Sequence, residues 1–222
     1  MTSYVGEVVT RDALAIEARR DPQRLRRFFD VLAVNSAKVV DLATMIQSAG
    51  IDRRTAVAYE GLLRNMFIVD AVPAWFSNRL KRLVQAPKRY LVDPALIAAV
   101  TGSDTDAVLR DSRLLGQIVD TFVAAQLRAE LPLSHRDARM YHLRQESGRR
   151  EVDLLIEVAG ARIVGIEIKA SGVASFDSGR HLAWLRDGLG DNFLYGLVLY
   201  TGSRIQQLGD RIAAVPISAL WA

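Results

Sequence analysis

Glu151-Val-Asp-Leu-Leu-Ile-Glu157 and Ile163-Val-Gly-Ile-Glu-Ile-Lys169 are the two stretches on which the reading of this chain turns. Each alternates polar or small residues with apolar ones at period two, the spacing of a half-buried strand. The connection Ala159-Gly160-Ala161 suits an antiparallel hairpin. With Val158 opposite Arg162, residue numbers across the ladder sum to a constant, which sets Asp153 against Glu167. Odd positions then share a face, so Asp153, Glu167 and Lys169 are expected to point the same way. Two facing carboxylates repel by roughly 0.2–1 kcal/mol in water, and by more once desolvated. A sequence that builds such a pair is expected to supply a cation. A one-residue slip would undo the arrangement. The plain alternative is a solvated hairpin face with cross-strand ion pairs, such as Glu151 opposite Lys169.

Asp…Glu-x-Lys on adjacent strands is also how many phosphodiesterases build a metal site. A hard ion such as Mg²⁺, or Mn²⁺ in its place, takes carboxylate and backbone carbonyl oxygens together with waters. It polarises a scissile phosphate and lowers the pKa of a bound water, while a nearby lysine orients that water or offsets charge. The Glu-x-Lys tripeptide alone is common. The matched Asp in the preceding strand is what raises its meaning.

Composition sets the outer bounds. The 222 residues suffice for one or two domains with proper cores. Half are apolar and 24% are charged, ordinary values for a globular protein. No apolar run reaches the ~18–20 residues of a membrane span, and no charged-then-apolar leader precedes a cleavage site, so a cytoplasmic protein with no membrane partner is expected. Without cysteine, disulfides, thiol chemistry and cysteine-type zinc sites are excluded. His135, His142 and His181 lack ligand spacing and read as surface or core residues. Residues 1–100 carry 15 Lys or Arg against 10 Asp or Glu, whereas residues 101–222 carry 14 against 15. A basic half beside a near-neutral half suggests an anionic partner for the first.

The chain reads as two modules, 1–100 and 101–222. Asp21-Pro22 starts a helix through Leu25, Phe28, Phe29, Leu32 and Ala33. A second helix spans Val39 to Ser48, Ala49-Gly50-Ile51 turns, and Asp52 caps a third, Arg53 to Met66. Helix, short glycine turn, helix is the helix-turn-helix arrangement. A strand over Phe67–Val72, a basic stretch from Asn78 to Lys88 and a returning strand over Arg89–Asp93 make it a winged variant. Arg53, Arg54 and Arg64 on the third helix, with Arg79, Lys81, Arg82, Lys88 and Arg89 around the wing, are the candidate phosphate contacts. Winged helices also serve as protein-docking or spacer domains, and helix starts often carry solvated arginines.

Asp93-Pro94 and the polar segment Thr101–Asp106 mark the expected boundary. Beyond it come a helix from about Leu114 to Leu131, a strand over Met140–Arg144, the hairpin, a helix near Gly179–Leu189 and an apolar strand over Phe193–Leu199. The chain closes with Ile212–Trp221, strand-like and then a short turn. That order predicts an α/β (α+β overall) protein in which a winged helix-turn-helix precedes a mixed sheet flanked by helices. Asp120 lies off the apolar stripe of its helix, so it is half-buried with a partner or held beside a site.

Helix–strand–strand–strand–helix–strand, with an acid on the first helix and Asp…Glu-x-Lys on the hairpin, resembles the restriction-endonuclease-like PD-(D/E)xK nucleases. The whole chain resembles, more specifically, the C-terminal region of a group of prokaryotic AAA-type ATPases, a domain of unknown function joining a winged helix to that nuclease-like fold. The stretches carrying this are Arg53–Tyr59 with Leu62-Leu63, Trp75–Asn78, Pro87–Asp93, Gly116–Val123, Glu151-Val-Asp153, Ile166–Lys169 and Gly196–Gly202. The resemblance implies a catalytic set of Asp120, Asp153, Glu167 and Lys169, with Asp153, Glu167 and Asp120 holding the metal. Asp120 stands where the family usually has Glu, a longer side chain. It also implies DNA and a separate AAA-type ATPase domain or chain as partners, with a catalytically silent DNA- or protein-binding tail as the alternative. No Gly-x-x-x-x-Gly-Lys-[Ser/Thr] loop occurs in these residues, so ATP hydrolysis is not assigned to them.

Overall fold

Aspartates start three successive helices, each by the same device. A computed structural model of the chain describes residues 21–76, 85–134, 137–145 and 148–221. Asp21 caps α1 (Pro22–Val34) by accepting from the Gln23 and Arg24 amides. Asp41 caps α2 (Leu42–Ala49) through the Thr44 amide, and Asp52 caps α3 (Arg53–Asn65) through that of Thr55. The Thr44 amide and hydroxyl hold the Asp41 carboxyl below its ordinary value, and the Thr55 hydroxyl and amide do the same at Asp52. Gly50, at φ 62°, makes the left-handed turn between α2 and α3.

β1 (Lys38–Val39) lies between α1 and α2; β2 (Val69–Val72) and β3 (Lys88–Leu91) follow α3. They form an antiparallel sheet in the order β1-β3-β2. Two short helices come next, α4 (Ala95–Thr101) and α5 (Thr105–Arg110). The polar segment expected to divide the domains is the joint between them. Leu25, Phe28, Phe29 and Leu32 of α1 pack with Met45, Tyr59, Leu63, Leu91 and Ile97, joined by Leu114 and Ile118 of α6 (Ser112–Glu130). The chain divides into two compact units, Met1–Val72 with Ala86–Ala125, and Pro73–Gln85 with Gln126–Ala222.

The second unit is built on a mixed sheet of six strands in the order β4-β5-β6-β7-β9-β8. These are β4 (Arg139–Gln145), β5 (Arg150–Val158), β6 (Arg162–Lys169), β7 (Phe193–Tyr200), β8 (Gln206–Gly209) and β9 (Ile212–Pro216). β4, β5 and β6 are antiparallel neighbours, whereas β6–β7 and β7–β9 are parallel. The crossover from β6 to β7 carries α7 (Arg180–Leu189), whose Leu182 and Leu185 pack with Ile163, Phe193 and Val198. Gly165 and Gly196, partners across β6–β7, let this helix approach. A Cβ at Gly165 would lie 2.7 Å from Leu182 Cδ2. Pro73–Trp75 adds a short parallel bridge to β4, with Trp75 N donating to His142 O at 2.7 Å. Among the described residues no helix is long and apolar enough to cross a membrane.

Candidate functional site

The β5–β6 hairpin pairs in the expected register from Val158↔Arg162 up to Leu154↔Ile166. Asp153 and Glu167 would form the next rung, but the ladder ends there. The reason lies on the other side of β5. Leu155 faces Tyr141 and Val152 faces Leu143, so β5 spends one residue more than β4 across this span, a β-bulge at Asp153–Leu154. Freed from the ladder, the Asp153 carboxylate turns to β6, and its Oδ2 accepts the Ile168 amide at 2.9 Å. That holds it beside the Glu167–Ile168 peptide.

The expected Asp153–Glu167 rung is therefore corrected, and the Glu151–Lys169 pairing of the alternative reading goes with it. Glu151 does not face Lys169. It stands opposite Arg144 of β4, with the charged groups 3.7 Å apart.

Glu167 is the buried acid of the site, with 6% of its side chain exposed. Burying an ionised carboxylate costs several kcal/mol unless charge and hydrogen bonds compensate. Lys169 Nζ lies 2.8 Å from Oε2, and His181 Nδ1 lies 3.7 Å from Oε1. His181 is held in turn: Nδ1 is 2.7 Å from the Glu151 carbonyl oxygen, and Nε2 accepts from Arg180 Nε at 3.3 Å. A carbonyl can only accept, so Nδ1 carries the proton. Sequence reasoning put His181 among the unremarked surface or core histidines. Only the crossover that lays α7 against the odd-numbered residues of β6 reveals its place. His142 is buried in β4, and His135 lies outside the described residues.

Asp120 belongs to the first unit, on α6, where it is a counter-ion. Its Oδ2 accepts from Lys88 Nζ at 2.8 Å and its Oδ1 from Tyr90 OH at 3.0 Å. The Lys88 side chain is 1% exposed, which corrects its assignment as a phosphate contact. Arg89 needs the same correction. It is buried, its Nε and Nη2 donate to the Glu60 carboxylate at 2.9 and 3.1 Å, and its Nη1 donates to Val40 O. Arg53, Arg54 and Arg64 are exposed on α3, with Val57 and Phe67 also open to solvent. Arg79, Lys81 and Arg82 lie outside the described residues. Among the described residues, no group of three or more His, Cys, Asp or Glu side chains is arranged to hold a metal ion.

Residues 1–107 match a family model described as Domain of unknown function (DUF8612), and residues 115–220 match a second, Domain of unknown function (DUF4143). An uncharacterized protein of Mycobacterium tuberculosis and one of Mycobacterium bovis are each 28% identical to the chain over 214 residues. The alignment covers 96% of this chain and 46% of either relative, so the chain spans about half the length of the curated relatives it matches. No solved structure matches it.

Proposed function

We propose that this chain is a nucleic-acid-associated module whose second unit hydrolyses phosphodiester bonds with a divalent metal at Asp153 and Glu167. The observation that carries this reading is a buried carboxylate, Glu167, with the Lys169 ammonium 2.8 Å away and Asp153 anchored to the neighbouring Ile168 amide. The donor chemistry fits a hard ion. Two carboxylates and the Ile168 carbonyl are oxygen ligands of the kind Mg²⁺ and Mn²⁺ take while keeping several waters. When bound, such an ion polarises a phosphoryl oxygen and lowers the pKa of a coordinated water.

The rest of the chemistry belongs to the side chains. The Ile168 amide fixes the Asp153 carboxylate, and His181 flanks Glu167 and ties α7 to the Glu151 carbonyl. The Lys169 side chain is 39% exposed, which gives its ammonium access to a phosphate oxygen or to the attacking water. Asp120 is left out of this set, because Lys88 and Tyr90 already engage its two oxygens. In this reading the first unit is a winged helix, α3 meets phosphates through Arg53, Arg54 and Arg64, and the second unit is restriction-endonuclease-like. The association with an AAA-type ATPase rests on the family resemblance.

Purified full-length chain incubated with single- and double-stranded DNA should cleave it with Mg²⁺ or Mn²⁺ and not with EDTA. Asp153→Ala and Lys169→Ala should each abolish cleavage while leaving the circular dichroism spectrum unchanged. DNA left intact under both metals sinks the reading for this chain.

A second reading, a non-catalytic docking tail, draws on the exposed face of α3. Three arginines share that helix with exposed Val57, and Phe67 follows at φ 54°. It predicts DNA binding that weakens with salt and is lost in Arg53→Ala/Arg54→Ala/Arg64→Ala, with Asp153→Ala indifferent. Equal binding by both variants counts against it.

A further inference from the structure

A pocket of about 260 Å³ opens in the second unit between the C-terminal half of α7 and β4. Trp75, Leu143, Gln145, Trp184, Leu185, Gly188 and Leu189 line it. The indoles are held in place. Trp75 is buried, its Nε1–H donates to Glu157 Oε2 at 2.8 Å, and its backbone amide donates to His142. Trp184 carries the Arg150 guanidinium over its ring, 5.4 Å from the centroid. Gln145, the one side-chain amide among the described lining residues, is the cross-strand partner of Arg150. Gly188 contributes no side chain, and a Cβ there would meet nothing within 4 Å.

We propose that this pocket binds a nucleobase. The volume is sufficient for one heterocyclic base. Indole walls give a planar ring a stacking surface worth roughly 1–3 kcal/mol for each base stacked. The Gln145 amide offers both a donor and an acceptor, the pattern a base edge complements and a hydrocarbon does not. Arg150, followed back along the chain by exposed Arg149, places positive charge at the rim for an attached phosphate. The base comes from a free nucleotide or from a single strand. The assignment requires no metal at Glu167 and stands whether or not cleavage occurs.

Tryptophan fluorescence tests it, on full-length protein carrying Trp221→Phe so that only the Trp75 and Trp184 indoles report. Deoxynucleoside 5′-monophosphates and short single-stranded oligodeoxynucleotides are titrated in separate arms. Saturable quenching is expected, weakened about tenfold or more by Gly188→Leu, which fills the pocket from a good helix former. Gln145→Leu should change the preference among the bases. Quenching by monophosphates identifies a free nucleotide; quenching by oligodeoxynucleotides alone identifies a base presented by a strand. Absence of quenching in both arms, or quenching indifferent to Gly188→Leu, overturns the proposal. So does phenol binding as well as any nucleotide and ignoring Gln145→Leu. Asp153→Ala should leave the quenching unchanged, so a silent nuclease and an empty pocket give different results.

Discussion

Each unit contains a lysine–carboxylate pair 2.8 Å apart, and the two pairs are inverted in exposure. In the first, the lysine is the buried partner: Lys88 is 1% exposed and Asp120 14%. In the second, the acid is buried: Glu167 is 6% exposed and Lys169 39%. A contact distance alone would rank them as equals. Exposure separates them, because a sealed ammonium can only neutralise its neighbour, whereas a half-open one beside a sealed carboxylate can exchange partners. Lys88–Asp120 has the form of a structural tie, with Tyr90 as a further donor. Lys169–Glu167 is the pair that would rearrange around a cation on the metal reading proposed above.

Deleting the acid of the sealed pair should do the most harm. Asp120→Ala leaves the Lys88 ammonium buried without its carboxylate, and urea denaturation should show a loss of about 3–5 kcal/mol. Lys88→Met with Asp120→Leu should recover most of it. The open pair should respond to loss of its base. Lys169→Met leaves Glu167 buried and should cost roughly 1–3 kcal/mol, part of which Mn²⁺ restores in thermal melts. Unchanged melting with added Mn²⁺ would count against cation binding there. Removing the acid should matter least for folding. Glu167→Gln leaves only a half-exposed ammonium and should change stability by less than about 1 kcal/mol, or raise it, while abolishing cleavage. A loss as large as that of Asp120→Ala would erase the distinction between the pairs.

The smallest effect concerns acid, and it sharpens the contrast by acting on helix ends of the first unit alone. The folded-state values of Asp41 and Asp52 are lowered from 3.8, so their stabilisation is complete above that pH. It is lost as pH falls through the lower folded values. The melting-temperature gap between wild type and Asp41→Ala/Asp52→Ala should therefore shrink below pH 3.8 and hold steady above it.

The helices and the hairpin were legible because helix caps and period-two alternation are local signals. Asp21 and Asp52 announce helix starts within three residues, and Val158↔Arg162 fixes the register expected from the loop. The second helix, expected from Val39, instead starts at Leu42 behind the Asp41 cap, because Val39 lies in β1 and pairs with Lys88. The bulge was not legible. Leu154-Leu155-Ile156 is an unbroken apolar run, so nothing in it marks where the ladder to β6 stops, and Asp153 was set opposite Glu167 on a rung that does not form. Lys88 and Arg89 looked like a basic surface because their carboxylates, Asp120 and Glu60, are 32 and 29 residues away. β8 escaped for a different reason: Gln206-Gln-Leu-Gly209 carries one apolar side chain and takes its pairing from β9.

The segment between β2 and β3 has a practical consequence. The chain leaves the first unit after Val72 and is back in it by Ala86, then leaves again after Ala125. No single cut can therefore separate the two bodies. A clone beginning at residue 126 would lack Trp75, and with it an indole from the hydrophobic interior and a donor to Glu157. Dissection needs residues 73–85 grafted back through a new linker, or a circular permutation, before either half can be judged on its own.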